Sequence, residues 1–326
     1  MKVIIPVAGV GSRLRPHTYT TAKVLMTVAG APMIDYILTE VETLRPEKVI
    51  FVIGHLGDQI AEYVTKRFPL LPVEFRRQEV AEGLGHAVSI GLDENEKETL
   101  IILGDTLFEA DLKTVVAGKF SSLGAKQVED ARRFGVILQK DGFVTELIEK
   151  PEVPPSQQVM VGIYWIKEGE LLRKQLVDMM AKNERVRGEF QLTTALQRMI
   201  SSGCKMNTFD VQGWFDCGTV ETLLETNRHY LIQKSKSVEL PVHSTDTVIK
   251  PPVSISPTAK VTDSIIGPFV SIGPGATICK SVIENSIVER DANVTNAVLA
   301  NSVIGANTCV NGVTQQLNIC EPAKPR

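Results

Sequence analysis

The sequence predicts an α/β fold, built on a doubly wound and mostly parallel sheet, followed by a short left-handed parallel β-helix. Three observations carry this expectation. Up to about residue 240, short apolar runs alternate with amphipathic helical segments. After Pro251 the helical periodicity stops, and aliphatic residues step by 5 or 6 positions. Gly9 and Gly11 follow the first apolar run, at a strand end where such sheets bind ligands. The expected domains are therefore residues 1–240 and residues 241–326.

The elements follow in order. VIIPVA (3–8) is an apolar run ended by glycine, which reads as a buried strand. APMIDYILTEVETL (31–44) has its apolar residues at helical spacing. KVIFVIG (48–54) is a second strand and GDQIAEYVTKRF (57–68) a second helix. VEFRRQ (73–78), TLIILGD (99–105) and VMVGIYWI (159–166) are further strands, with GHAVSIGLDE (85–94) a helix between the first two. Strand–helix alternation with apolar strands implies a sheet covered on both faces.

In the second part a small residue precedes an aliphatic one by two places. The pairs are Ala259/Val261, Ser264/Ile266, Val270/Ile272, Ala276/Ile278, Ser281/Ile283, Ser286/Val288, Ala292/Val294, Ala297/Leu299, Ser302/Ile304 and Thr308/Val310. Val270 is the one large member. Three such steps close one triangular turn, so this pattern predicts about three coils with the aliphatic side chains inside. The tail with Pro322 and Pro325 reads as frayed.

Composition narrows the partners. The chain has 326 residues, 43% hydrophobic and 22% charged, with a net charge of -3. That balance gives no reason to expect nucleic acid, so any phosphate site must be local. Five cysteines without a CxxC argue against a disulfide framework or a zinc site. Neither a leader nor a membrane-spanning run is read, which implies a reduced, cytoplasmic protein.

PVAGVGSRLRPHTYTTAK (6–23) fails two familiar tests. It lacks the GxxxxGK[ST] of a Walker loop, and Leu14 stands where a dinucleotide fingerprint has its third glycine. Glycines alone would indicate a tight turn. Arg13 beside them and Lys23 ten residues on raise the specificity. Gly9 and Gly11 would let backbone N–H groups approach a triphosphate. Arg13 could fork two phosphate oxygens, and Lys23 would add a point charge.

These residues resemble the signature loop of the sugar-1-phosphate nucleotidylyltransferases. The resemblance extends to about residue 235, and Ala22 departs from it where the family usually has proline. It implies a nucleotide site of Ala8, Gly9, Gly11, Ser12, Arg13, Gln78, Gly83 and Asp105. Gln78 and Gly83, in RQEVAEGLGHAV (77–88), would take the nucleobase. Asp105 in LGDTLF and Asp216 in WFDCGT match the two aspartates that hold Mg²⁺, and Cys217 beside the second reads as packing. RFGVI, IEKP and VGIYWI resemble the sugar pocket. Gly135, Glu149, Val161 and Asp216 would meet the sugar phosphate, with Lys150 neutralising its charge. RGEFQLT (187–193) reads as structural, and the histidines, His86 among them, form no constellation.

The resemblance implies catalysis by Arg13, Lys23, Asp105 and Lys150 with Mg²⁺. The substrates would be an NTP, dTTP or UTP by expectation, and glucose 1-phosphate. A mannose-1-phosphate guanylyltransferase and a non-catalytic sugar-nucleotide sensor are the alternatives. A dinucleotide oxidoreductase ranks below them, lacking the third glycine. The β-helix has no histidine after His243, so we expect it to pair subunits into a homo-oligomer or pack on the first domain rather than catalyse.

Overall fold

The computed structural model describes residues 1–234, 244–312, 314–315 and 318–319, with 244–245 and the last four by backbone alone. The expected boundary at residues 240 and 241 lies outside them, as do His243, Cys320, Pro322 and Pro325. Two compact units form: Met1–Gly9 with Ile37–Trp214, and Val10–Tyr36 with the described residues from Phe215 onward. Residues 10–36 thus group with the repeat, although their sequence lies inside the segment expected as the first domain.

In the first unit β1 (Lys2–Val7), β2 (Lys48–Ile53), β3 (Val73–Arg77) and β4 (Thr99–Ile102) form a parallel block in the order β3-β2-β1-β4. Ile4 sits between Ile50 and Ile101, and all three are fully buried. Such burial explains why β1, β2 and β4 read as apolar runs, whereas β3, at the end of the block, is VEFRR and only partly buried. The helices α1 (Met33–Thr43), α2 (Gly57–Arg67) and α3 (Leu84–Gly91) connect them.

The sheet's other flank is antiparallel. β5 (Ser121–Gln127), β6 (Gly135–Lys140), β7 (Phe143–Glu149) and β8 (Gln158–Ile166) belong to it. β8, the VMVGIYWI strand, runs antiparallel to β4, β5 and β6. β6 and β7 form a hairpin in which Phe143 faces Lys140. Its turn residues, Asp141 at φ 54 and Gly142 at φ 80, are both left-handed. Asp-Gly is the pair such a two-residue turn favours. Helices α4 (Gly169–Ala181) and α5 (Leu192–Ser201) pack through Leu172, Leu176, Leu196 and Met199 into the core that holds Ile4 and Ile101. β9 (Met206–Asp210) extends the flank, parallel to β5.

In the second unit the repeat is a left-handed parallel β-helix whose three faces each stack five strands. Val261 aligns with Ile278, Ile278 with Val294 and Val294 with Val310, so a coil takes 17 or 16 residues. Those lengths are sums of the fives and sixes in the sequence. All ten aliphatic pattern positions are buried. The coils number more than the three predicted, because strands such as Val248–Ile249 and Val253–Ile255 precede the regular pattern. Left-handed residues turn the corners: Asp263, Lys280 and Asn296 in one column, Asn285 and Asn301 in another. Short polar side chains tolerate that conformation best. The small pattern residues are buried beside the corners rather than forming them.

Candidate active site

In the second unit Gly11 is left-handed, at φ 61 and ψ 40, and starts a single turn over Ser12–Leu14. The Thr18 hydroxyl donates to Gly11 O at 2.8 Å. A Cβ on Gly11 would lie 2.9 Å from Thr18 Cγ2 and 3.3 Å from Lys23 Cβ. The loop therefore folds back, bringing Lys23 against the glycine turn despite the ten-residue gap. Ala22, at φ −58 and ψ 134, already holds the φ that proline would fix.

Arg13 reaches the WFDCGT turn. A Cβ on Gly218 would lie 2.5 Å from Arg13 Nη2 and 2.9 Å from Asp216 Oδ1. Only glycine lets the guanidinium and the carboxylate flank this backbone so closely. Cys217 is fully buried, and its Sγ lies 3.5 Å from Thr226 Oγ1. It is a packing residue.

In the first unit Ala8 and Gly9 follow β1, and the space around Gly9 is open. Gln78 is 8% exposed at the end of β3, where its N–H donates to Ile53 O at 2.8 Å. Its Nε2 donates to Gly83 O at 3.3 Å and lies 3.2 Å from His86 Nδ1. Gly83 caps α3 at φ 105, and a Cβ there would lie 2.8 Å from Phe190 O. Phe190 N–H donates to Glu82 O at 2.8 Å and Gly85 N–H to Phe190 O at 2.8 Å. RGEFQLT thus clamps the Gln78–Gly83 loop.

Gly135 and Glu149 face each other across the β6–β7 hairpin. A Cβ on Gly135 would sit 2.3 Å from Met160 Cε and 3.4 Å from Glu149 Oε2. Glu149 accepts from Thr193 Oγ1 at 2.5 Å and pairs with Lys150 Nζ at 3.3 Å. Lys150 is left-handed at φ 44, and its carbonyl accepts from Arg187 Nη2 at 2.9 Å. Val161, 1% exposed, packs its Cγ2 toward Gly124. Asp105 sits in the turn after β4, where Leu103 N–H donates to Gly162 O and Gly104 N–H to Pro6 O. Burial pushes the Tyr164 phenol up, and the charges of Glu149 and Asp105 push it further, so this tyrosine senses both carboxylates.

Each unit therefore gathers a subset of the sequence-read residues. The second joins Gly11, Ser12, Arg13, Lys23 and Asp216. The first joins Gln78 with Gly83, and Gly135 with Glu149 and Lys150. Thr193, Arg187 and His86 touch these residues and escaped the sequence reading. RGEFQLT carried the only signal for the first two.

The class follows from this fold and these loops. The model of the family described as nucleotidyl transferase matches residues 2–233, and the chain belongs to that family. It is a nucleotidyltransferase. Among its relatives is the UTP–glucose-1-phosphate uridylyltransferase AglF of Haloferax volcanii, 29% identical over 73% of this chain and all of AglF. The bifunctional protein GlmU of Methanocaldococcus jannaschii is 33% identical over 72% of this chain and 55% of GlmU. The chain thus spans about half of that relative. Glucose-1-phosphate thymidylyltransferase of Streptomyces antibioticus is 30% identical over 76% of this chain and 71% of its own length. A UDP-glucose pyrophosphorylase solved with UDP-glucose shares the fold at TM-score 0.60 and 23% identity, over 71% of this chain and 98% of its own.

Proposed function

We propose that the chain transfers a nucleotidyl group from UTP or dTTP to glucose 1-phosphate and releases pyrophosphate. One observation supports this most: left-handed Gly11 opens the Ser12–Leu14 turn, the stem of Lys23 packs on that glycine, and the Arg13 guanidinium lies on Gly218 beside Asp216. Such backbone suits phosphate oxygens. Two of the relatives named above agree: AglF is named for UTP and glucose 1-phosphate, and the Streptomyces antibioticus enzyme for glucose 1-phosphate.

An oxygen of the sugar phosphate attacks the α-phosphorus, and the bond to the β-phosphate breaks with its electron pair leaving on pyrophosphate. The attacking group is ionised near neutral pH, with a second pKa of about 6, so no general base is required. Catalysis is then positioning and charge neutralisation. Arg13 draws charge toward the leaving phosphates, and Lys23 and Lys150 hold the α-phosphate and the sugar phosphate. Ala8, Gly9, Gly11 and Ser12 supply loop backbone, Gln78 and Gly83 meet the base, and Gly135, Glu149 and Val161 meet the sugar. Asp105 and Asp216 are hard oxygen donors of the kind Mg²⁺ takes, and the ion would neutralise phosphate charge.

The test is pyrophosphate release with Mg²⁺ across five NTPs and several sugar 1-phosphates. Release with UTP or dTTP and glucose 1-phosphate is expected. Asp105→Asn should lose about 10²-fold or more in kcat while keeping its circular dichroism spectrum. No release from any pair would overturn this reading in favour of the non-catalytic sensor.

A further inference from the structure

His86 has no role in the reaction as derived, yet it faces the side chain assigned to the base. Gly83 O is only an acceptor, so the Gln78 atom 3.3 Å from it must be the NH₂ nitrogen. The same nitrogen lies 3.2 Å from His86 Nδ1. With one amide hydrogen on Gly83 O, the second points to Nδ1. Nδ1 is then an acceptor, and the ring proton sits on Nε2. Glu82 Oε2 lies 3.6 Å from Nδ1, beyond hydrogen-bond range, and pairs with the ring only when the ring is protonated. Glu82 is engaged instead by Arg185 Nη2 at 2.5 Å, and that guanidinium also covers the Phe190 ring at 3.9 Å.

Both donors of the Gln78 amide are thus consumed inside the loop. The group it has left for a ligand is Oε1, an acceptor. Uracil and thymine present a ring N–H at N3, and guanine presents one at N1. Cytosine N3 and adenine N1 carry a lone pair instead, which would face the Oε1 lone pairs. A glutamine free to flip would serve either kind of base by turning its amide over.

We propose that His86 is a positioning residue that fixes the sense of the Gln78 amide, so that the site selects nucleotides whose base carries a ring N–H and rejects ATP and CTP. This rests on the assignment of Gln78 to the nucleobase. His86→Ala removes the shorter of the two contacts and leaves only the 3.3 Å bond to Gly83 O to hold the amide's sense. His86→Asn restores an acceptor, its Oδ1, near the Nδ1 position.

The experiment measures kcat/KM and, by calorimetry, Kd for UTP, dTTP, GTP, ATP and CTP in wild type, His86→Ala and His86→Asn. The wild type should prefer UTP or dTTP over CTP. His86→Ala should shrink that ratio by about tenfold or more, with CTP gaining, as expected for losing one discriminating hydrogen bond. His86→Asn should hold the ratio within about threefold of wild type. A thermal midpoint measured alongside separates this from loosened folding, which would weaken all five nucleotides equally. Wild type binding CTP as well as UTP, or His86→Ala keeping the full ratio, overturns the proposal. Discrimination in Kd without turnover of any pair would instead overturn the proposed reaction and leave the role of His86 standing.

Discussion

Glu149 is fixed from two sides, by the Thr193 hydroxyl at 2.5 Å and by Lys150 at 3.3 Å, while the missing Cβ of Gly135 lets Met160 pack beside it. A carboxylate held this way can present its remaining lone pairs to sugar hydroxyls without reorganising. Thr193→Val keeps the shape and removes the donor. A hydrogen bond to a charged group is worth about 1.5–3 kcal/mol, so KM for glucose 1-phosphate should rise about tenfold or more. KM for the NTP should not change, and steady-state kinetics with each substrate varied would decide. An unchanged sugar-phosphate KM would make the contact structural only. Glu149 and Lys150 were legible because they sit together at a strand end. Thr193 was not, since it lies 44 residues away and a threonine in the first turn of a helix has many uses.

At the scale of elements, local pattern decided what could be read. The parallel strands and the repeat announce themselves, because buried strands must be apolar and a coil must refill its interior every few residues. The antiparallel run of β8 follows from pairing, which no local pattern encodes. The Asp141-Gly142 turn was a hairpin signal left unread. The serines of the repeat illustrate a second hidden layer. Ser281 donates through Oγ to Cys279 O at 2.8 Å and accepts from Ala297 N–H at 3.2 Å, while its own N–H donates to Ser264 Oγ at 3.1 Å. Ser286 links Glu284 O and Ser302 N–H in the same manner. Each hydroxyl therefore joins one coil to the next. Ser281→Ala would leave the Ala297 N–H without that acceptor in a buried position, at about 1–3 kcal/mol. Denaturant unfolding should show the loss, and Lys280→Ala on the neighbouring corner, away from this ladder, should cost less. Equal effects would remove the ladder from the account.

Across the whole chain, residues 10–36 group with the repeat because of contacts that sequence distance conceals. Thr27 donates to Glu289 through N–H at 2.9 Å and through its hydroxyl at 2.7 Å, across 262 positions. Asn227 Oδ1 accepts from Ala29 N–H at 2.8 Å and Ser271 Oγ at 2.6 Å. The segment that follows Lys23 is thereby pinned to a helix and to the coils. Glu289 is buried, and burial raises its carboxyl above the ordinary 4.5, with the Thr27 bonds opposing that shift only in part. A raised folded value means that the native state holds the proton more tightly than the unfolded chain. The stability from this group is then complete below pH 4.5 and is lost as pH rises through the folded value. Glu289→Gln keeps an acceptor for the Thr27 N–H and carries no charge, so it should gain on the wild type as pH rises above that point. Glu289→Ala leaves the Thr27 N–H without its acceptor and should cost about 1–3 kcal/mol at neutral pH. Unfolding free energies of the three proteins, followed upward from below pH 4.5, give the comparison. A glutamine-to-wild-type difference that stays flat with pH would mean that Glu289 titrates normally, and that the grip on Thr27 does not depend on a carboxyl kept from water.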